Sequence, residues 1–188
     1  MGDYPLCHPA LINYLDIRSI DTSIAKKFCR EVHYSVGGRN YFAIGFRNNY
    51  GGWELRSERF KGCSTPKHIT TIDNGSDKAL AFEGFMDFLS YLTIKRNDSP
   101  TCNIAVLNSV ANIQKAVPFL ARHRSIYTFL DNDDAGRKAL SEIERLCPQS
   151  KVINQSYFYR RHKDLNDYLR SQQPRKRVVA KQKRGFKM

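Results

Sequence analysis

Residues 125–136 read SIYTFLDNDDAG, an apolar run that ends in an acidic turn. The β-branched and aromatic residues of the run are typical of a buried strand. Asp131 and Asp133 follow it directly, and Ala135 and Gly136 are small enough for the chain to turn closely into a helix. The stretch therefore predicts a strand, a loop that carries two carboxylates, and a helix.

The same alternation of strand and helix extends from residue 78 towards the C-terminus. The predicted elements are a strand at 78–82, a helix through 95, a strand at 103–107, a helix near 112–122, a strand at 125–130, a helix through 146 and a strand at 151–154. Strands that alternate with helices predict a mostly parallel sheet with right-handed crossovers.

The chain before residue 78 has a different pattern. It predicts a helix at 9–17 that begins with proline, a second helix capped by Asp21 and extending through Val32, a hairpin with strands at 40–46 and 52–56, an extended stretch at 59–72 and a boundary loop at 73–77. We expect a small α+β subdomain over residues 1–75, followed by an α/β domain over residues 76–172.

The composition narrows the class of protein. The chain has 188 residues, with 31 Lys and Arg against 18 Asp and Glu, for a net charge of +13. This excess predicts a polyanionic partner, with nucleic acid as the first candidate. No apolar run reaches the roughly 18 residues of a membrane span, and no signal peptide is visible, so we expect a cytoplasmic protein without membrane contact.

Two further features of the composition bear on function. The five cysteines are scattered and never spaced as C-x-x-C, so neither a disulfide framework nor a zinc knuckle is indicated. The last fifteen residues, from Pro174, contain seven Lys or Arg. We expect residues 173–188 to form a disordered basic tail.

Glu83 directly follows the strand at 78–82, as Asp131 and Asp133 follow the strand at 125–130. The carboxyl ends of parallel strands meet at one edge of a sheet, so these three carboxylates are expected close together. They would repel each other without a cation, and their oxygen atoms suit Mg²⁺ or Mn²⁺. We predict that they form a catalytic metal site; the alternative is that the aspartates only cap the next helix.

The acidic stretches resemble two motifs of the TOPRIM family. Glu83-Gly-Phe-Met-Asp87 is similar to its glutamate motif, and Asp131-Asn-Asp-Asp-Ala-Gly136 is similar to its D-x-D-x-x-G motif. The resemblance implies a Rossmann-like sheet with flanking helices, an acid/base or metal-binding role for the glutamate, and magnesium held by the aspartates. It also makes Asp87 a metal candidate, although this residue could instead be a solvated side chain at a helix start.

A third stretch, Lys163-Asp-Leu-Asn-Asp167, resembles the late acidic motif of bacterial-type primases. The resemblance implies that Asp164 binds metal. Asn166 stands where replicative primases usually have a second aspartate, and Asp167 could replace it. The alternative for Asp164 is capping of the helix that follows.

The first subdomain also resembles the small subdomain that precedes the metal domain in primase cores, through residues 14–20, the hairpin and residues 64–68. The resemblance implies a positive groove for template or nucleotide triphosphate. The candidate binding residues are Arg47, Arg56, Arg59, Lys61, Lys67 and Lys163. Residues 157–163, Tyr-Phe-Tyr-Arg-Arg-His-Lys, could stack on a single strand or pack the last strand onto the sheet.

These resemblances imply a primase-like, magnesium-dependent nucleotidyltransferase that makes RNA primers on single-stranded DNA for a plasmid or mobile element. Its expected partners are single-stranded DNA, nucleoside triphosphates and a helicase or a separate zinc-binding module. Without a zinc module of its own, the chain is expected to be a fragment or a reduced version. A TOPRIM nuclease and a non-catalytic nucleic-acid-binding accessory protein are the alternatives. Topoisomerase action is not expected, because no stretch resembles a domain with a nucleophilic tyrosine.

Overall fold

The computed structural model describes residues 1–172, so the predicted basic tail at 173–188 lies outside the described residues. The described chain forms two five-stranded sheets and six α-helices. The strands are β1 Gly2–Tyr4, β2 Cys29–Val36, β3 Arg39–Arg47, β4 Trp53–Ser57, β5 Phe60–Cys63, β6 Thr70–Ile72, β7 Lys78–Phe82, β8 Asn103–Val106, β9 Ser125–Phe129 and β10 Lys151–Asn154. The helices are α1 Pro9–Ile17, α2 Thr22–Phe28, α3 Phe85–Lys95, α4 Ile113–Leu120, α5 Asp134–Leu146 and α6 Leu165–Gln172.

The first sheet is antiparallel, with strand order β1-β2-β3-β4-β5. The predicted hairpin is confirmed as the β3–β4 pair. Its loop is closed by Asn48, whose Oδ1 accepts hydrogen bonds from the backbone N–H groups of Tyr50 and Gly52. Gly51 adopts a φ of 84°, which explains the need for glycine in this turn.

Helix α1 has the predicted bounds, and Asp21 caps α2 by accepting the backbone N–H of Ser23. The predicted extension of α2 to Val32 is wrong, because α2 ends at Phe28 and the chain continues as strand β2. Gly37 and Gly38 turn β2 back onto β3 with positive φ, and the two strands pair over eight residues. This long-range pairing outweighs the local helical pattern.

The second sheet has strand order β10-β9-β7-β8-β6. Strands β7 to β10 pair in parallel, and only β6, at the edge, is antiparallel to its neighbour β8. The predicted mostly parallel sheet is therefore confirmed. Helices α3 and α6 contribute to the core on one face, and α4 and α5 contribute to the core on the other. Among residues 1–172, no helix combines the length and apolarity needed to span a bilayer.

One hydrophobic core joins the two sheets. It contains side chains of α1, α2 and β3 together with side chains of β7, α3 and β9. Phe46 from the first sheet stacks on Phe85 from α3, with ring centroids 5.3 Å apart. Strand β6 already belongs to the second sheet, although it precedes the loop at 73–77. The division at residues 75 and 76 remains a prediction.

Candidate active site

Strands β7 and β9 are neighbours, so the residues that follow them meet at one edge of the second sheet. The backbone N–H of Glu83 donates to the carbonyl of Phe129 at 3.2 Å. The Glu83 Oε2 accepts the backbone N–H of Asp131 at 3.1 Å. The structure thus brings Glu83 and Asp131 together, as their positions after strands predicted.

Three carboxylates form a cluster at this edge. Asp87, Asp131 and Asp164 each offer an oxygen atom, and these atoms all lie within 4.8 Å of one another. Asp87 is on the first turn of α3 and is buried, so it is not the solvated residue of the alternative interpretation. Asp164 precedes α6 and caps it as well, because its Oδ1 accepts the N–H of Asp167 at 2.7 Å.

The negative charge of the clustered carboxylates is disfavoured by burial and by mutual repulsion. Burial, together with the charges of Glu83 and Asp164, raises the pKa of Asp131 to about 7. Burial and the charges of Asp164 and Asp131 also raise the pKa of Asp87 well above its usual value. Within residues 1–172, the ion pair to these carboxylates is a long one, with Lys163 Nζ 4.0 Å from Asp131 Oδ2. Converging, uncompensated oxygen ligands of this kind fit a hard divalent cation such as Mg²⁺.

Asp133 caps the helix that follows the acidic loop. It lies at the N-terminus of α5, and its Oδ1 accepts the N–H of Gly136 at 3.0 Å. It is not among the three clustered carboxylates, so its direct role in metal binding remains a prediction. Gly136 is required sterically, because a Cβ there would lie 2.0 Å from the backbone oxygen of Asp131. The backbone of Gly136 thus packs closely against the backbone of Asp131, which ties the start of α5 to the loop that carries Asp131.

Asn166 is a structural residue in this fold. Its side chain is buried and its Nδ2 donates to Ser90 Oγ at 2.8 Å and to the carbonyl of Arg18 at 3.0 Å. Its backbone N–H donates to Asp87 Oδ1 at 3.3 Å, which helps orient that carboxylate. Asp167, in contrast, lines the cavity beside the cluster.

A cavity of about 800 Å³ opens beside the acidic cluster. Of the basic residues predicted for binding, Arg56, Lys61, Lys67 and Lys163 line it. Two others do not. Arg47 places its guanidinium 5.6 Å from the centre of the Trp53 ring, and Arg59 is exposed in the turn between β4 and β5.

The sequence analysis missed two residues of the cavity wall, Arg18 and Glu54. Arg18 lies in the stretch 14–20 that carries the resemblance, which was the available signal. Glu54 stands between two apolar residues in β4, a pattern typical of a side chain that faces solvent, but it is only 8% exposed. Burial raises the pKa of Glu54 to about 7, against the opposing charges of Arg56, Lys67 and Lys61. Burial also lowers the pKa of Arg56.

The sequence of this half of the chain matches a known family. A family model described as Toprim-like matches residues 80–169. That range contains Glu83 and all three clustered aspartates. Residues 80–169 form a TOPRIM domain. A second family model, a domain of unknown function (DUF8464), matches residues 2–65. No curated protein matches the sequence.

Solved structures share the fold of the TOPRIM domain together with the sheet that precedes it. The primase fragment of the bacteriophage T7 primase-helicase protein is 20% identical, with a TM-score of 0.61 over 88% of this chain and 73% of that one. T7 primase domains bound to an RNA/DNA hybrid and dTTP are 21% identical, with a TM-score of 0.55 over 74% of this chain and 76% of theirs. The zinc-binding and RNA polymerase domains of the Aquifex aeolicus primase are 16% identical, with a TM-score of 0.53 over 79% of this chain and 50% of that one.

At these identities, the comparison establishes the fold alone. The described chain consists of a TOPRIM domain preceded by a small antiparallel sheet, and its fold is similar to that of the T7 primase fragment. Chemically, the site combines clustered carboxylates with a wall of cations. Such a combination is able to bind a metal ion and a polyphosphate in one cavity.

Proposed function

We propose that this chain is a primase-like nucleotidyltransferase core that uses Mg²⁺ or Mn²⁺ to make RNA primers on single-stranded DNA. One observation carries the proposal: the cluster of Asp87, Asp131 and Asp164 shares its cavity with cations that come from the first sheet as well as from the TOPRIM domain. A nuclease that activates water needs the metal site. A nucleotide polymerase also needs a positive wall for the triphosphate.

The three clustered aspartates would hold the metal. When bound, a divalent cation neutralises phosphate charge and stabilises the attacking and leaving oxygens. Glu83 lines the same cavity, so its carboxylate would take an acid/base or metal-binding role there. It also accepts a hydrogen bond from the Asp131 N–H, which fixes the beginning of the loop. Asp133 supports the same loop through its cap on α5.

Arg56, Lys61 and Lys67 line the cavity and would bind the triphosphate of the incoming nucleotide through charge-assisted hydrogen bonds. In the reaction, the 3′-hydroxyl of the growing strand releases its proton to water, and its oxygen bonds to the α-phosphorus as the bond between the α-phosphorus and pyrophosphate breaks. The cations bind the negative charge that remains on pyrophosphate. Arg18 adds a further positive charge to this wall of the cavity.

The biological setting is part of the proposal. The similar T7 fragment comes from a primase-helicase protein, and the similar A. aeolicus structure contains a zinc-binding domain. We infer that this chain acts in the cytoplasm on a plasmid or mobile element, with a helicase or a zinc-binding module supplied as a partner. The net charge of +13 supports a nucleic-acid template.

The test is incorporation of labelled ribonucleotides on single-stranded DNA by the full chain, with Mg²⁺, with Mn²⁺ and with chelator. We expect metal-dependent oligomers from the native chain and a loss of at least about 100-fold in Glu83→Gln, Asp131→Asn and Asp87→Asn. The matched control is Asp134→Asn, which changes an exposed carboxylate of the same acidic stretch that lies outside the cluster. It should retain synthesis.

Other results would select other functions. Cutting of the strand that depends on Glu83, without synthesis, would establish the nuclease. Binding without either reaction, equal in all variants, would establish the accessory protein.

A further inference from the structure

Two large aromatic side chains lie exposed on the turn after β10. This turn is a single 3-10 segment, Ser156–Tyr159. Tyr157 is 66% exposed and Phe158 is 72% exposed. Tyr159 is buried, and its hydroxyl donates to the carbonyl of Leu130 at 2.9 Å. One ring therefore anchors the turn to the TOPRIM domain, and the other two face outwards.

The turn is attached to the loop that carries the candidate metal ligands. Asn132 lies between Asp131 and Asp133, and its Nδ2 donates to the carbonyls of Tyr159 at 3.0 Å and His162 at 2.9 Å. Its backbone N–H donates to the carbonyl of Lys163 at 2.7 Å. The turn that carries the exposed rings is thus attached to the loop that carries Asp131, although the rings take no part in the cluster.

One cation contacts the Tyr157 ring, and two more follow it in sequence. The Arg160 guanidinium lies 4.4 Å from the centre of the Tyr157 ring, a cation–π contact. Arg161 and Lys163 follow in sequence and are also exposed. Tyr157 and Phe158 meet edge to face at 6.4 Å, so they do not stack on each other. Exposed aromatic faces next to exposed cations match the bases and phosphates of a single strand.

We propose that Tyr157 and Phe158 form a stacking surface for the bases of single-stranded nucleic acid, and that Arg160 and Arg161 bind its phosphates. The inference rests on the proposed function, because it assigns a position to the strand that the active site would copy. Single-stranded nucleic acid is favoured over duplex, because paired bases are already stacked and offer no free faces. It is favoured over a second copy of this chain, because two chains of charge +13 repel each other.

Binding of a labelled single-stranded oligonucleotide, measured by fluorescence anisotropy in chelator, tests the proposal. Tyr157→Ala and Phe158→Ala should each weaken binding by about 5- to 100-fold, the range of one lost base stack. Phe158→Trp should retain affinity, because tryptophan keeps a stacking face. The matched control is Tyr4→Ala, which removes an exposed aromatic ring from the first sheet. It should bind like the native chain.

Duplex and salt give two further readouts. The ring variants should bind a duplex of equal length with native affinity. They should also keep the native salt dependence, whereas Arg160→Ala should lower the slope of log affinity against log salt by about 0.7.

Native single-strand affinity in both ring variants would overturn the proposal, as would an equal loss on single strand and duplex. A shift in self-association in sedimentation, with unchanged single-strand binding, would assign the rings to a contact between copies and also overturn it. Because neither metal nor nucleotide is present, failure of primer synthesis would not alter this result.

Discussion

Replacement of Asp87 by asparagine should stabilise the metal-free protein while removing its response to magnesium. Asp87 is buried, and its nearest oxygen lies within 4.8 Å of an oxygen of each of two other carboxylates. At an effective dielectric constant of about 20, two unit charges at this separation repel by about 3 kcal/mol. Asparagine has nearly the same shape, and its Oδ1 retains the hydrogen bond from the Asn166 N–H.

The pKa of Asp87 is raised by burial and by the charges of Asp164 and Asp131, and an uncharged side chain avoids both of these unfavourable effects. We therefore expect the variant to gain roughly 1 to 3 kcal/mol at pH 8 in chelator. For a chain of this size, this gain corresponds to a rise in Tm of roughly 3 to 10 °C.

The assay is thermal unfolding of the full chain with chelator and then with increasing Mg²⁺. The native chain should be stabilised by about 2.7 kcal/mol at a metal concentration of 100 Kd, and Asp87→Asn by much less. The control, Asp134→Asn, should unfold like the native chain in both conditions, because Asp134 is exposed and its partner is the nearby Arg137. If Asp87→Asn destabilises the metal-free protein, repulsion among the clustered carboxylates does not limit its stability, and this expectation is refuted.

Three further predictions concern the surroundings of the cluster. The pKa of Glu54 is raised to about 7 in the folded protein, against 4.5 in the unfolded chain. Between these pH values the folded protein holds a proton that the unfolded chain has released. The free energy of unfolding should therefore fall as the pH rises from about 4.5 to about 7. In Glu54→Gln this fall should shrink by roughly 1 to 3 kcal/mol in urea unfolding at pH 5 and pH 8 in chelator, and an unchanged fall would contradict the assignment. Gly136→Ala should lose roughly 1 to 3 kcal/mol in urea unfolding, because its Cβ would clash with the Asp131 backbone; native stability would show that the loop moves freely. Asn132→Ala removes the two hydrogen bonds from the Asn132 side chain to the carbonyls of residues 159 and 162. Amide hydrogen exchange should therefore become faster in residues 156–163 but not in β3. Equal exchange in the native and variant proteins would show that these two hydrogen bonds do not hold the turn in place.

The sequence was sufficient to predict the strands and helices that have a regular hydrophobic pattern. The alternation after residue 78 predicted strands β7 to β10 and helices α3 to α5 to within a few residues, because buried parallel strands and amphipathic helices have strong local patterns. The end of α2 was mispredicted, since residues 29–32 continue an apolar helical pattern locally. Their strand conformation depends on pairing with β3, whose paired residues lie more than ten positions further along the sequence.

The candidate site was predicted in part for a similar reason. Glu83 and Asp131 follow predicted strands, so topology alone placed them together. The proximity of Asp87 and Asp164 depends on how α3 and α6 pack, which strand topology does not give. These two residues were indicated only by the resemblance to the TOPRIM and primase motifs. Glu54 was missed because the alternation of β4 indicates a solvent face, whereas the cavity encloses that face.

The core that joins the two sheets has a consequence for the folding of the chain. Family models divide the sequence at residues 65 and 80, yet Phe46 and Phe85 pack together across that division and β6 pairs with β8. Expression of residues 80–169 alone would leave this apolar surface in water. We therefore expect the whole described chain to fold as one unit, although two family models match its two parts. Amides of β3 and β7 should therefore open in the same cooperative event.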